Sequence, residues 1–124
     1  MNYIDLLNEL GGKKILFANF PADGHFNPMT GLAMHLKELG CDVRWYTSKK
    51  YTDKLKKMDI PHYSFRAALD TSDIEKAFPE RAEINGLIPK LKFDLSHAFV
   101  LRGPEYYADI LHIYTGGFDF DVLI

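Results

Sequence analysis

The chain has 124 residues, of which 47% are hydrophobic and 26% charged, and its formal net charge at pH 7 is −2. These values are typical of one globular domain, and the charge argues against a nucleic-acid or membrane surface chosen by bulk electrostatics. Cys41 is the single cysteine, which excludes an internal disulfide and a cysteine-based zinc site, and suits a cytoplasmic protein. No apolar run reaches the roughly 18 residues of a membrane span.

The first third of the chain predicts a helical lead-in, a buried strand and an amphipathic helix. The lead-in ends at the Gly11–Gly12 pair, and a continuous apolar run over 14–20 is typical of a strand buried on both faces. Asn27 is the predicted N-cap of the next helix and Pro28 its first residue. Gly40 is the expected left-handed residue at its end.

The remaining elements continue an alternating pattern. The sequence predicts strands over 42–47, 60–65 and 121–124, and helices over about 49–58, 73–78 and, with a break at Gly103-Pro104, 93–114. The pattern is weak between 66 and 92. Strand-helix alternation predicts an α/β fold with a Rossmann-like parallel sheet and flanking helices.

The turn between the first strand and its helix is the predicted ligand site, because ligands bind at the carboxyl ends of strands in open α/β sheets. His25 lies in this turn beside Gly24, between Pro21 and Pro28. A rigid loop that presents one imidazole suits a general base, although a lone histidine can also serve to fill a turn. Asp23 is a candidate for orienting His25 or binding a ligand hydroxyl, or is an ordinary turn aspartate.

Several other features favour structural roles. The turn lacks the three glycines of a dinucleotide-binding fingerprint. The lysines of segment 49–57 alternate with apolar residues, which is typical of a solvated helix face. The aromatic residues of the later helices are candidates for an acceptor pocket, but their helical spacing favours the core; they are Phe93, Phe99, Tyr106, Tyr107 and Tyr114.

The run 15–28, with its Gly24-His25-Phe26-Asn27-Pro28 element, resembles the opening of the UDP-glycosyltransferase and macrolide-glycosyltransferase family. Segments 42–47 and 120–124 match the family as well. The resemblance implies a GT-B fold, in which two Rossmann-like domains face each other across a cleft. Residues 1–124 would be the incomplete N-terminal, acceptor-side half, without the C-terminal nucleotide-sugar domain.

The resemblance also implies a function. His25 would be the general base of an inverting glycosyltransferase, removing a proton from an acceptor hydroxyl that attacks the nucleotide sugar. Asp23, Gly24 and Phe26 would contact a small, hydroxylated, apolar acceptor. No metal and no cofactor are implied. The family's aspartate partner of the histidine lies beyond the strand at 121–124, so we expect the chain alone to be inactive.

Two other functions stay open. One is a GT-B sugar-nucleotide epimerase or hydrolase, and the other is a stand-alone α/β module that binds a small molecule without catalysis. Exposed sheet edges near the last strand also predict self-association.

Overall fold

Parallel strands form the centre of the fold, which a computed structural model describes for residues 2–124. Among these residues the strands are β1 (Lys14–Ala18), β2 (Asp42–Tyr46), β3 (His62–Tyr63) and β4 (Val122–Leu123). They form one sheet in the order β3-β2-β1-β4, and every pair is parallel. The α/β fold predicted from the sequence is therefore confirmed.

Helices connect and cover the strands. The α-helices are α1 (Tyr3–Leu10), α2 (Asp23–Glu38), α3 (Thr52–Lys57), α4 (Ile74–Ala77), α5 (Leu87–Asp94) and α6 (Gly103–Thr115). Short 3₁₀ segments span Lys49–Tyr51, Pro79–Glu83 and Val100–Arg102, and a π-helical turn spans Leu95–Phe99.

The sheet is buried on both faces, which explains why β1 is apolar throughout. Ile15 and Phe17 point to one face and pack in a core with residues of α2 and α3. Leu16 points to the other face, where it packs with Tyr46 of β2 and with Ile113 of α6. Helix α6 therefore closes the second face and reaches the carboxyl ends of the strands.

The start of α2 differs from the prediction. The helix begins at Asp23, and the extended Ala22 is its N-cap, with a carbonyl that accepts from the N–H groups of His25 and Phe26. Asn27 caps nothing and accepts instead from Lys54 Nζ. Pro28 lies inside the helix. Because proline has no N–H, the carbonyl of Gly24 loses its usual helical hydrogen bond, and Gly24 is exposed in the first turn.

Two further elements differ from the expectations. The predicted helix at 93 starts earlier, because α5 begins at Leu87 within the weakly patterned segment 66–92. Gly86 turns the chain with a φ of 96° just before it, and Pro89 falls in the first helical turn, where proline is tolerated. Gly103 and Pro104 begin α6 rather than interrupt a helix. The predicted left-handed Gly40 is confirmed, with a φ of 89°.

Candidate active site

An open cavity of about 290 Å³ lies at the carboxyl end of β1. Four segments build its wall: the end of β1 with the residues that follow it, the end of β2, the first turns of α2, and the inner side of α6. The lining residues are Ala18, Asn19, Phe20, His25, Met29, Tyr46, Tyr106 and Ile110. This is the edge of the sheet at which the sequence predicts a ligand.

His25 enters the cavity from the first turn of α2. Its side chain is exposed, and its ring lies edge-on to Phe20, with 5.8 Å between the ring centroids. Among residues 2–124, no hydrogen bond to the His25 imidazole is formed, so both ring nitrogens are accessible to solvent or to a ligand. Imidazole is the side chain that exchanges a proton near neutral pH.

Phe20 is the centre of the aromatic wall. Besides His25, it packs edge-on against Tyr106 of α6, with a centroid distance of 5.6 Å. It also packs against Phe99 of the π-helical turn, which lies outside the lining residues, at 4.6 Å. These contacts join α2, α6 and the π-helical turn around one ring. The cavity wall is therefore fixed by packing rather than by a loose loop.

Asn19 is held at the end of β1 by two hydrogen bonds. Its Oδ1 accepts from Trp45 Nε1 at 2.6 Å, and its Nδ2 donates to the carbonyl of Phe20 at 2.6 Å. Both ends of the amide are thus engaged within the protein. Asn19 orients the chain that leads into the cavity more than it offers free polar atoms to a ligand.

A buried carboxylate supports the opposite wall. Asp109 of α6 is 3% exposed and accepts from the Tyr46 hydroxyl at 2.6 Å. It also accepts from the backbone N–H groups of Arg66, Ala67 and Ala68. Burial alone raises the pKa of Asp109, but these donors outweigh it and hold the pKa below its ordinary value.

The two tyrosines of the cavity stay protonated. Burial and the hydrogen bond to Asp109 raise the pKa of Tyr46 above its ordinary range. Burial, with the nearby Glu105 carboxylate, raises the pKa of Tyr106 to about 12. Neither phenol can accept a proton at neutral pH, so His25 is the lining side chain suited to that task.

The structure separates His25 from the residues that the sequence groups with it. Asp23 accepts from the Tyr51 hydroxyl at 2.9 Å and pairs with Lys50, and these partners lower its pKa. Gly24 is exposed and borders open space. Neither lines the cavity. Phe26 is fully buried, stacked on Tyr51 at 4.1 Å, so the structure places it in the core and not beside a ligand.

The lysine-rich segment and two further histidines have local roles. The lysines of segment 49–57 are exposed, as predicted for a solvated face. His62 contacts the Thr47 carbonyl, and His97 stacks on Phe93. In the described part of the chain, no group of three or more His, Cys, Asp or Glu side chains could hold a metal ion, and no helix is long and apolar enough to span a membrane.

Sequence comparisons relate the chain to glycosyltransferases. No protein-family model matches the sequence. The chain is 36% identical over 78 residues to 4'-demethylrebeccamycin synthase of Lentzea aerocolonigenes. That match covers 61% of this chain and 18% of the relative. It is 30% identical over 83 residues to YdhE of Bacillus subtilis (strain 168), an uncharacterized UDP-glucosyltransferase. That match covers 67% of this chain and 20% of the relative.

The fold is shared with a solved glycosyltransferase. The crystal structure of CalG4, the calicheamicin glycosyltransferase, superposes with a TM-score of 0.65 at 20% identity, over 90% of this chain and 26% of that chain. The chain is related to GT-B glycosyltransferases. It matches about a fifth of the length of its curated relatives, so it corresponds to part of a GT-B glycosyltransferase.

Phe20, His25 and Met29 lie in the turn that the sequence predicts as the ligand site, whereas Ala18, Asn19, Tyr46 and Ile110 of the cavity wall were not predicted. Asn19 carries a usable signal, because it is the polar residue within the otherwise apolar run 15–20. Tyr106 was a candidate, although its helical spacing favoured the core. Tyr46 carries no local signal, because the pairing of β2 with β1 brings it to the site, and Ile110 carries none because α6 must first fold onto the sheet. Asp109, also on α6, contacts the Tyr46 hydroxyl and is not itself a lining residue.

Proposed function

We propose that this chain supplies the acceptor side of an inverting glycosyltransferase, with His25 as the general base. The observation that carries the proposal is the position of an exposed imidazole in a cavity whose other titratable side chains, Tyr46 and Tyr106, both have raised pKa values. The relationship to glycosyltransferases supplies the reaction class.

In this mechanism the acceptor hydroxyl donates a hydrogen bond to His25. As the acceptor oxygen attacks the anomeric carbon, the imidazole takes the proton, and the bond from that carbon to the nucleoside diphosphate breaks on the opposite side. Attack from one face and departure from the other inverts the configuration. Proximity of the two substrates and removal of the proton share the catalytic work.

The partners follow from the same proposal. The acceptor is a small, hydroxylated, apolar molecule, because the lining of the cavity is mainly apolar. The donor is a nucleotide sugar that binds mainly outside these residues, so the 124-residue chain alone is inactive. Asp23 and Gly24 lie outside the lining residues, so the proposal assigns neither a contact with the acceptor. A cytoplasmic location suits the buried Cys41 thiol.

The test compares the chain alone with a chimera in which it replaces the equivalent segment of a GT-B relative. We expect no sugar transfer by the chain alone and transfer by the chimera, with an inverted anomeric configuration in the product. His25→Ala should lower kcat at least 100-fold, in line with the usual contribution of a general base. His35→Ala, which changes an exposed histidine of the same helix, is the matched control.

Three results would contradict the proposal. Transfer by the chain alone that His25→Ala abolishes would overturn its inactivity. Equal kcat in the chimera and its His25→Ala variant would remove the base assignment. A product with retained configuration would exclude the inverting mechanism.

A further inference from the structure

A second cavity, of about 410 Å³, lies between the end of β3 and α6. Residues 62–66 form one of its walls, and one side of α6 forms the opposite wall. Tyr46 is the one lining residue that this cavity shares with the cavity of His25. Arg66 lies in the first wall, and the Arg66 cavity is named after it.

Arg66 is the one arginine among residues 2–124 that has no carboxylate partner. Arg44, Arg81 and Arg102 each form a salt bridge of 3.2 Å or less with an Asp or Glu side chain. The Arg66 guanidinium instead donates from Nη1 to Nε2 of His112. A neutral imidazole brings no negative charge, so the charge of Arg66 stays without a counter-anion at the mouth of a cavity.

Most other polar side chains of the Arg66 cavity already have partners. The Asp109 carboxylate is 3% exposed and accepts from the Tyr46 hydroxyl and three backbone N–H groups, one of them that of Arg66. The Tyr63 hydroxyl and the His62 ring are likewise engaged within the protein. The guanidinium of Arg66, with the imidazole beside it, is therefore the group that can attract an anion.

We propose that the Arg66 cavity binds a small monocarboxylate that carries an apolar ring. The planar fork of a guanidinium matches the two oxygens of a carboxylate. The wall offers the ring of such a ligand an apolar surface made of Tyr46 and Phe65, whose ring centroids are 5.1 Å apart, and of Ile113. A volume of about 410 Å³ falls within the range of small-molecule sites. The inference uses neither His25 nor the proposed sugar transfer.

The charges around the Arg66 cavity favour an anion with one negative charge. Among the lining residues, Arg66 carries the only permanent positive charge. The Asp109 carboxylate stays ionised at neutral pH, because its hydrogen-bond donors lower its pKa. A dianion such as a phosphate monoester would bring one charge more than Arg66 can neutralise, and that charge would lie near Asp109.

The test measures binding of four probes to the 124-residue chain by NMR titration at neutral pH and low salt. The probe 3-phenylpropionate has the charge and the ring, 3-phenylpropan-1-ol lacks the charge, propionate lacks the ring, and phenyl phosphate is mainly a dianion. We expect 3-phenylpropionate to bind roughly tenfold more tightly than the alcohol, the size of a hydrogen bond to a charged group. It should also bind more tightly than propionate, which buries less apolar surface. Equal or tighter binding of any other probe would overturn the inference.

Histidine ring signals show where the probe binds. The His112 ring contacts Arg66 and His62 lines the same cavity, whereas His25 lines the other cavity. We expect 3-phenylpropionate to shift the signals of His112 and His62 and to leave that of His25 unchanged. A shift of the His25 signal without a shift of the His112 signal would place the probe in the other cavity and overturn the inference.

Variants of Arg66 connect the affinity to its guanidinium. Arg66→Gln removes the charge but keeps the backbone N–H that donates to Asp109, and it should weaken 3-phenylpropionate binding roughly tenfold. Arg66→Lys keeps a charge without the planar fork, so its affinity should lie between the two. Lys92→Gln is the matched control, because it removes the same charge from an exposed residue outside the lining. Equal weakening by Arg66→Gln and Lys92→Gln, or none by Arg66→Gln, would contradict the inference.

A carboxylate at Arg66 has two possible sources, a free ligand and an acidic side chain of another protein segment. The chimera with a GT-B relative separates them. We expect the chimera to bind 3-phenylpropionate with the same affinity as the chain alone. Binding to the chain alone but not to the chimera would show that another segment fills the cavity, and would overturn the inference. Selective binding by a chimera that transfers no sugar would contradict only the proposed function.

Discussion

The imidazole of His25 lies edge-on to Phe20, with 5.8 Å between the ring centroids, while the next residue along the chain, Phe26, stacks on Tyr51 at 4.1 Å. Consecutive residues of a helix point in different directions. The first turn of α2 therefore directs His25 to the cavity and Phe26 to the core. The two residues form a natural pair for separating a functional role from a structural one.

We predict that His25→Ala changes the free energy of unfolding by less than about 0.5 kcal/mol, because the side chain is exposed and makes no hydrogen bond within residues 2–124. Phe26→Ala should cost about 3–5 kcal/mol, because it leaves a cavity between Trp45 and Tyr51. Urea unfolding followed by circular dichroism measures both. A loss for His25→Ala that approached the loss for Phe26→Ala would show that His25 has a structural role.

Asp109 is predicted to make stability depend on pH. Its pKa is lowered in the folded chain, so its contribution is present above the unfolded value of roughly 4 and is lost as pH falls through the folded pKa. Asp109→Asn should cost at least about 2 kcal/mol near pH 7, because an amide nitrogen would face a backbone N–H donor. The difference from the unchanged chain should shrink as the pH falls below 4.

Unfolding free energies between pH 3 and pH 7 provide this measurement. Asp59→Asn is the control, because the Asp59 side chain is 99% exposed and asparagine tolerates its φ of 54°. We expect no comparable pH-dependent difference for the control. A difference for Asp109→Asn that is constant across the pH range would exclude the carboxylate charge as its cause.

Two glycines, one in the first turn of α2 and one just after its end, should respond in opposite ways to alanine. Gly40 has a φ of 89°, and an added Cβ would lie 3.5 Å from the backbone of Gly11. Gly40→Ala should therefore cost about 1–2 kcal/mol. Gly24 lies in a helical turn with open space around it, so Gly24→Ala should be neutral or stabilise by up to about 1 kcal/mol. Thermal unfolding compares the two.

The contrast also tests an interpretation of the sequence. If Gly24 were required for a close backbone approach within the folded chain, Gly24→Ala would destabilise it as much as Gly40→Ala. Destabilisation of that size would show that the open space around Gly24 is filled in solution.

Features that depend on neighbouring residues were predictable from the sequence, whereas features that depend on contacts between distant residues were not. Gly40 was predicted correctly because its left-handed conformation is a local property. The start of α2 was predicted wrongly. Asn27 and Pro28 are favourable near helix starts, but here the loss of one backbone hydrogen bond at Pro28 does not prevent the helix from beginning at Asp23. Sequence located His25 but not its surroundings.

The surroundings of His25 depend on contacts between distant segments. Tyr106 reaches Phe20 only because α6 folds across the second face of the sheet. Tyr46 is fixed by Asp109, 63 residues away along the chain. Neither pairing leaves a periodic or spaced signal in a single sequence, so the parallel sheet with its flanking helices was predictable while these contacts of the cavity wall were not.

The edge of the sheet at β4 is predicted to promote self-association. Val122, Leu123 and Ile124 are 46%, 46% and 38% exposed, and β4 is the outermost strand beside β1 among the described residues. An exposed apolar edge offers unpaired backbone groups to a second copy. We expect the mass measured by light scattering to rise with concentration for the unchanged chain, and Leu123→Lys to keep the chain monomeric, because a charged edge disfavours pairing.

A second exposed apolar residue separates the edge from general surface hydrophobicity. Leu87 at the start of α5 is 83% exposed and far from β4 in the sequence. If the edge strand mediates association, Leu87→Lys should leave the concentration dependence of the mass unchanged. A monomeric Leu87→Lys variant together with an associating Leu123→Lys variant would assign the contact to α5 instead, and a monomeric unchanged chain at high concentration would exclude both surfaces.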